Sequence, residues 1–322
     1  MVSMNAVRGA DGRLVITTSN MDNSNINGIG TASGTMSYSL GSTGANSNET
    51  VLNIGQTSKT DELVLLAANT TDNFQIYGTN IDAKFSDSPK SSYNVEWNAS
   101  NSKFDSTGTT AGIVFSAGEQ SANNIISLGK SSTSSLGGYD NIVVDSGKSN
   151  IYVGSTTSKN LYQTTKNSNG AAIIAGNGAN VFNIGGSNGI FSGGNGNDTF
   201  ITERNTANHN MFLGNDGNDV MQDYGSGTLF IGGNGNDYAG GHGKDALMYT
   251  GTSSGDTIDG SGATNSAFFK STQLTDTNGK VYSFSDYLKL KGWTLTEFLQ
   301  KSNLDNNPYY SFIQPKIKET LG

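Results

Sequence analysis

Four stretches between residues 193 and 247 decide how this chain folds: Gly193-Gly-Asn-Gly-Asn-Asp198-Thr-Phe200, Gly214-Asn-Asp-Gly-Asn-Asp219-Val-Met221, Gly232-Gly-Asn-Gly-Asn-Asp237-Tyr-Ala239 and Gly240-Gly-His-Gly-Lys-Asp245-Ala-Leu247. They are near-copies of one nonapeptide. Glycines permit a tight turn whose carbonyls point inward, and the sixth-position Asp adds carboxylate oxygen to the same small cage. After the Asp the chain is extended, so the apolar residues Phe200, Met221 and Leu247 can face inward at the strand period of two. A flexible linker has no reason to keep an acid at position six and an apolar residue after it.

The pattern resembles the GGxGxDxUx repeat of the RTX family, whose members bind calcium in a parallel β-helix or β-roll. The resemblance covers about 55 of the 322 residues. It implies a calcium cofactor held by Gly194, Gly196 and Asp198, by Gly214, Asp216, Gly217 and Asp219, and by Gly233, Gly235 and Asp237. Gly241, Gly243, Asp245 and Asp256 complete the candidate set, the last two as a weaker site on the opposite side. It also implies secretion from a bacterial cell through a one-step channel, with an uncleaved signal at the C-terminus.

Composition agrees with a solenoid. Apolar residues make up 34% of the chain and charged residues 14%, which suits coils that each bury only a few side chains. Three prolines in the chain leave long hydrogen-bonded ladders uninterrupted. A net charge of −8 without a basic cluster argues against nucleic acid and anionic membranes as partners and favours divalent cations. Cysteine is absent, so neither disulfides nor thiolate metal sites can form. The N-terminus lacks the basic start and apolar core of a Sec-type signal, and the longest apolar run, Leu63 to Ala68, is too short to span a bilayer.

Working outward, an Asn or Asp precedes an extended run at Asn124, Asn141, Asn160, Asn180, Asp198, Asp219 and Asp237, in steps of 17, 19, 20, 18, 21 and 18 residues. This is close to two nonapeptides per coil, and a second series of apolar runs falls midway. The expected fold is therefore all-β: a parallel β-solenoid over 113–262, preceded by a β region over 1–112 and followed by a cap over 263–322. The step of 21 predicts a three-residue bulge between Glu203 and Asn210.

In the N-terminal region, strands are expected at Leu14, Val51, Leu63, Phe74 and Val95, and residues 17–50 read as surface loop. In the C-terminal one, Asn265 to Lys270 reads as the last strand. Residues 285–292 and 294–301 read as helices, with Thr294 and Glu297 at capping-box spacing.

Asn can form neutral ladders between coils, whereas Asp demands cations. Bare carboxylates about 5 Å apart repel by about 0.8 kcal/mol in water and about 3 kcal/mol at an effective dielectric of 20. Calcium between them reverses the sign.

Catalytic constellations are weak. Gly251-Thr-Ser253-Ser-Gly255 satisfies GxSxG without the strand-to-helix context or a later His. The two histidines, His209 and His242, do not form HExxH, and His242 is expected to face solvent. Asp140, Asp145 and Tyr152 are the best acid-base candidates for a lyase-like β-helix enzyme, and Trp97 and Trp293 could stack on sugars. The leading expectation is an extracellular, non-enzymatic structural protein that binds calcium and assembles with copies of itself into a surface layer, filament or adhesive matrix, with cell-surface polysaccharide a further partner. A secreted carbohydrate-active enzyme and a folding and secretion module of a larger toxin or lipase are the alternatives.

Overall fold

Short runs with alternating burial, separated by turns rich in Gly, Asn and Ser, set the architecture of the computed structural model. The described residues are the strands of the first 72 residues, residues 73–270 except 86–90, 245, 252 and 265, and the strands Gln273–Thr275 and Val281–Ser283. The expected helices, Trp293 and Asp245 lie outside them. Among the described residues there is no helix, and none long and apolar enough to cross a membrane.

The chain divides into two units, Met1–Asn160 and Leu161–Gly322, and each is a parallel β-solenoid with two strands per coil. In the first unit one face stacks Glu62–Leu66, Ile81–Phe85, Lys103–Asp105, Ile125–Ser127 and Ile151–Val153, all parallel. The other face stacks Ser24–Gly30, Glu49–Asn53, Asn73–Thr79, Ser92–Ser100, Gly112–Ala117 and Asn141–Asp145. Parallel coiling therefore begins well before residue 113. The segment expected as loop contains Ser24–Gly30 and Met36–Ser42, which pair antiparallel. Its few large apolar residues hid strands whose ladder bonds come from the backbone, which any side chain supplies.

In the second unit one face stacks Ala172–Ile174, Ile190–Gly194, Met211–Asp216, Leu229–Asn234, Leu247–Gly251 and Ala267–Lys270. Two antiparallel strands, Gln273–Thr275 and Val281–Ser283, follow, so Ala267–Lys270 is not the last. The facing sheet stacks Val181–Ile184, Thr199–Thr202, Val220–Asp223, Tyr238–Gly241 and Thr257–Asp259.

Like side chains fall above like in such a stack. Phe182 lies on Phe200 with ring centroids 4.6 Å apart, and Phe191 on Phe212 at 5.1 Å. Phe200 and Met221 are fully buried, facing inward as the nonapeptide predicts. In the first unit Trp97 is fully buried against Phe104 and Phe115, which makes it core and removes it as a sugar platform.

The predicted bulge is present. Eight residues from Ile201 to Asn208 stand against five from Gln222 to Ser226 on the next coil, so the three extra residues fall between Thr202 and Asn208.

Candidate metal centre

The residue just before each strand of the Thr199–Thr202 face is buried, and its side-chain oxygen accepts the backbone N–H of the equivalent residue one coil earlier. Asp198 Oδ1 accepts from Asn180 at 2.7 Å, Asp219 Oδ1 from Asp198 at 2.8 Å and Asp237 Oδ1 from Asp219 at 2.8 Å. Asp256 Oδ1 accepts from Asp237 at 2.9 Å. Asp256 is thus the fourth member of this column and not part of an opposite site. Its GxSxG context hid its equivalence to the acids before it.

The residues just before the strands of the opposite face form a neutral column. Gly189 N–H donates to Asn210 Oδ1 at 2.8 Å, and Ala246 N–H to Ser266 Oγ at 3.1 Å. In the first unit Ser102 donates to Asn124 Oδ1 and Asn124 to Asn150 Oδ1. Asn124 therefore stands in such a neutral column. Asn141 stands on the other edge, accepting from Ile113, and the sequence step of 17 joined residues from different columns.

Asn180 shows what the turn demands. Its Nδ2 donates to Gly176 O at 2.7 Å, Gly178 O at 2.6 Å and, from the next coil, Gly193 O at 3.1 Å. Asn141 likewise accepts a backbone N–H through Oδ1 and donates through Nδ2 to Gly129 O at 2.8 Å. At Asp198, Asp219 and Asp237 the Oδ1 bond is kept, so Oδ2 takes the place of the amide nitrogen. All three Oδ2 atoms are buried without a hydrogen-bond partner.

They lie against glycine faces. A methyl added at Gly214 would fall 2.1 Å from Asp219 Oδ2 and 2.4 Å from Gly232 O; one at Gly232, 2.2 Å from Asp237 Oδ2 and 2.4 Å from Thr250 O. Carboxylate and carbonyl oxygens thus converge where Asn supplies hydrogens.

Burial pushes the Asp198 carboxyl up to about 7 against the opposing backbone and side-chain donors of Asn180. Asp219 is pushed up to about 8 by burial, relieved by the Asp198 N–H and reinforced by the charges of Asp198, Asp237 and Asp216. Asp237 reaches about 6 through burial, relieved by the Asp219 N–H and raised further by the charge of Asp256. Desolvated oxygens without donors hold either a proton or a cation.

An oxygen-only site that can draw on several carbonyls suits calcium chemically. The residues that fit it are Asp198 with the Gly194 and Gly196 carbonyls, Asp219 with Asn215 and Gly217, and Asp237 with Gly233 and Gly235. Carbonyls of Gly232 and Thr250, from the following coil, stand beside Asp219 and Asp237 and would contribute there. The sequence reading missed Asn215 and Thr250, which depart from the glycine pattern.

Asp216 is exposed and accepts a bond from Asn234 Nδ2 at 2.8 Å. Gly241 and Gly243 belong to the opposite turn. There the buried acid is Asp223, whose Oδ1 accepts from Thr202 Oγ1 and Thr228 Oγ1, both at 2.8 Å. Asp223 closes a strand and sits outside every GGxGxD copy, so no local motif marks it. Among the described residues, no three Asp, Glu or His side chains converge on one point, and any ion here would depend on main-chain oxygen.

The glycines are required by contact. Gly194, Gly233 and Gly251 have φ of 102°, 118° and 130°, and Asn215 takes the same place at 80°. Gly235, at φ 137°, would put a methyl 1.6 Å from Gly217 O. Gly235→Ala is expected to cost about 3 kcal/mol or more, because it adds a backbone clash to an unfavourable φ. Gly137, at φ 65° with nothing within 4 Å, should cost only about 1 kcal/mol as Ala. Urea denaturation of both variants checks the difference.

The enzyme candidates lie elsewhere. Tyr152 Oη donates to Asp145 Oδ1 at 2.6 Å, and both residues are fully buried, so no substrate reaches the pair as it stands. Asp140 accepts from Lys159 N–H at 2.8 Å and from Ser134 Oγ at 3.0 Å, apart from them. Ser253 sits in a turn and donates to Asn236 Oδ1.

No family model, curated protein or solved structure matches this chain.

Proposed function

We propose that this protein is an extracellular, calcium-binding structural protein whose coils are completed by the ion and which assembles with further copies of itself. The observation that carries the reading is the row of buried, donorless Oδ2 atoms at Asp198, Asp219 and Asp237, set where Asn180 satisfies the same turn with amide hydrogens. Calcium would supply positive charge to that row. Asp198, Asp219 and Asp237 would hold it with the turn carbonyls.

Extracellular calcium sites have dissociation constants of about 10⁻⁴ to 10⁻³ M, so the ion would favour the folded coils outside the cell and leave them incomplete in the cytosol. Assembly draws support from strand order. Among the described residues, Ser3–Arg8 and Met36–Ser42 each end a sheet with one neighbour, and such strands offer backbone donors and acceptors to another chain.

The test is a calcium titration followed by circular dichroism and light scattering, on wild type and on Asp198→Ala/Asp219→Ala/Asp237→Ala. The expected result is that β signal and particle size rise together with calcium and the triple variant does neither. Complete β structure in chelator with constant size would remove both parts of the proposal. A rise in β signal alone would remove only assembly.

A further inference from the structure

Asp223 closes the strand Val220–Asp223 at the turn opposite the aspartate column, and its side chain is fully buried. Three neutral donors converge on one of its oxygens. Oδ1 accepts from Thr202 Oγ1 and Thr228 Oγ1, both at 2.8 Å, and from the Gly225 N–H at 3.1 Å. Oδ2 has no hydrogen-bond partner. A buried carboxylate needs a counter-charge as well as hydrogen bonds, and neutral donors supply only the bonds.

The space beside Oδ2 is bounded by main chain. Asp223 pairs with Gly241 on the next coil, so the paired residue lays no side chain over it. A methyl added at Gly243 would fall 2.8 Å from Asp223 Oδ2 and 2.2 Å from Gly225 O, which places both oxygens against the same side of Gly243. Gly225 O accepts the Lys244 N–H at 3.1 Å and keeps a second lone pair. Gly225 and Gly243 also line a cleft of about 300 Å³, together with Arg204, Tyr224, His242 and Lys244. The glycine backbone against Oδ2 is therefore the backbone that solvent in the cleft meets.

The positive groups of the cleft do not pair with Asp223. The Arg204 guanidinium lies over the Tyr224 ring, 5.8 Å from its centroid, and Tyr224 is stacked on His242 with centroids 5.0 Å apart. Lys244 is exposed, and neither cation donates to Oδ2. What they do is limit the charge that can join the carboxylate. A divalent ion would meet twice the repulsion of a monovalent one from the same two groups. One carboxylate oxygen and one carbonyl are also a sparse set for calcium, which takes about six to eight oxygens.

We propose that Asp223 Oδ2 and Gly225 O hold a monovalent alkali cation, sodium or potassium, between the turn of Asp223 and that of Gly243. Water from the cleft completes its shell. The ion acts as the counter-charge of a buried carboxylate and so stabilises the stacked coils. This site stands on the opposite turn from Asp198, Asp219 and Asp237 and does not depend on their reading.

The test is thermal melting of the full chain at saturating calcium, in sodium, potassium or tetramethylammonium chloride at one ionic strength. Fixed calcium and fixed ionic strength remove column occupancy and screening as variables. Sodium or potassium at about ten times its dissociation constant should raise the melting temperature by about 3 °C over the bulky tetramethylammonium ion. The rise should saturate as alkali ion replaces tetramethylammonium in steps. Asp223→Asn keeps the Oδ1 acceptor and sets an amide donor beside Gly225 O, so it should melt at one temperature in all three salts. Asp223→Thr, which repeats the Thr202 of the preceding coil, should do the same and serves if the amide variant fails to fold.

The proposal is overturned if wild type melts alike in the three salts, or if both variants keep the alkali effect. Failure of the aspartate column would appear as indifference to calcium, whereas failure here is indifference to the alkali ion.

Discussion

Replacing three of the four column acids by amides, Asp198→Asn/Asp219→Asn/Asp237→Asn, should produce a chain that folds without calcium. Each Asn would keep the Oδ1 bond to the preceding coil and place Nδ2 where Asn180 Nδ2 meets Gly176 O, Gly178 O and Gly193 O. The substitution turns an oxygen without a donor into a donor among acceptors. Leaving a buried polar group unsatisfied costs about 1 to 3 kcal/mol, more if it is charged.

Neighbouring sites do not add simply, but three together should raise the melting temperature in chelator by about 10 °C. Calcium, which should stabilise wild type, should leave the amide variant almost unmoved. The alanine triple variant separates the two effects, because it loses Oδ1 as well and should melt below wild type with or without the ion. Thermal melts in chelator and in calcium decide the matter. An amide variant that melts below wild type in chelator would show that Oδ2 is not the destabilising atom.

Metal-free wild type should be more stable in mild acid than at neutral pH, the reverse of most carboxylate-rich proteins. The sign follows from carboxyls at about 6, 7 and 8 for Asp237, Asp198 and Asp219, all above their usual range. A raised carboxyl holds its proton more tightly in the folded chain than in the unfolded one. Its contribution is complete below the unfolded value of about 4 and is lost as pH rises through the folded value.

Each pH unit in between costs about 1.4 kcal/mol per group. The melting temperature in chelator should therefore fall by about 10 °C between pH 5 and pH 8. Calcium should cancel most of that fall, since the ion displaces the protons, and its own affinity should weaken toward pH 5. A flat profile in chelator would mean that the three carboxyls titrate normally and that the column needs no cation.

Much of this molecule was legible from residues 193–247. Glycines at fixed places, an acid at position six and an apolar residue two places later specify a turn followed by an inward-facing strand. Phe200 and Met221 are buried as that rule requires. The step of 21 residues correctly located a three-residue insertion, because a solenoid keeps the same residue count in every coil unless the chain bulges.

Column membership was a different matter. Asn124 and Asn141 look alike in sequence and stand on opposite edges, since the phase of a residue within a coil depends on the lengths of both turns and only pairing reveals it. The same lack of phase misplaced Asp256 and hid Asp223.

What the sequence determined by itself was the repeating unit and the fold class, because local turn chemistry and strand period act within a few residues. What only the tertiary structure decided was which atoms meet between coils. Asp198, Asp219 and Asp237 form a single donorless row, and Arg204, Tyr224 and His242 share one cleft. Those neighbours lie 18 to 21 residues apart in the chain, where stacking register and not sequence proximity determines contact.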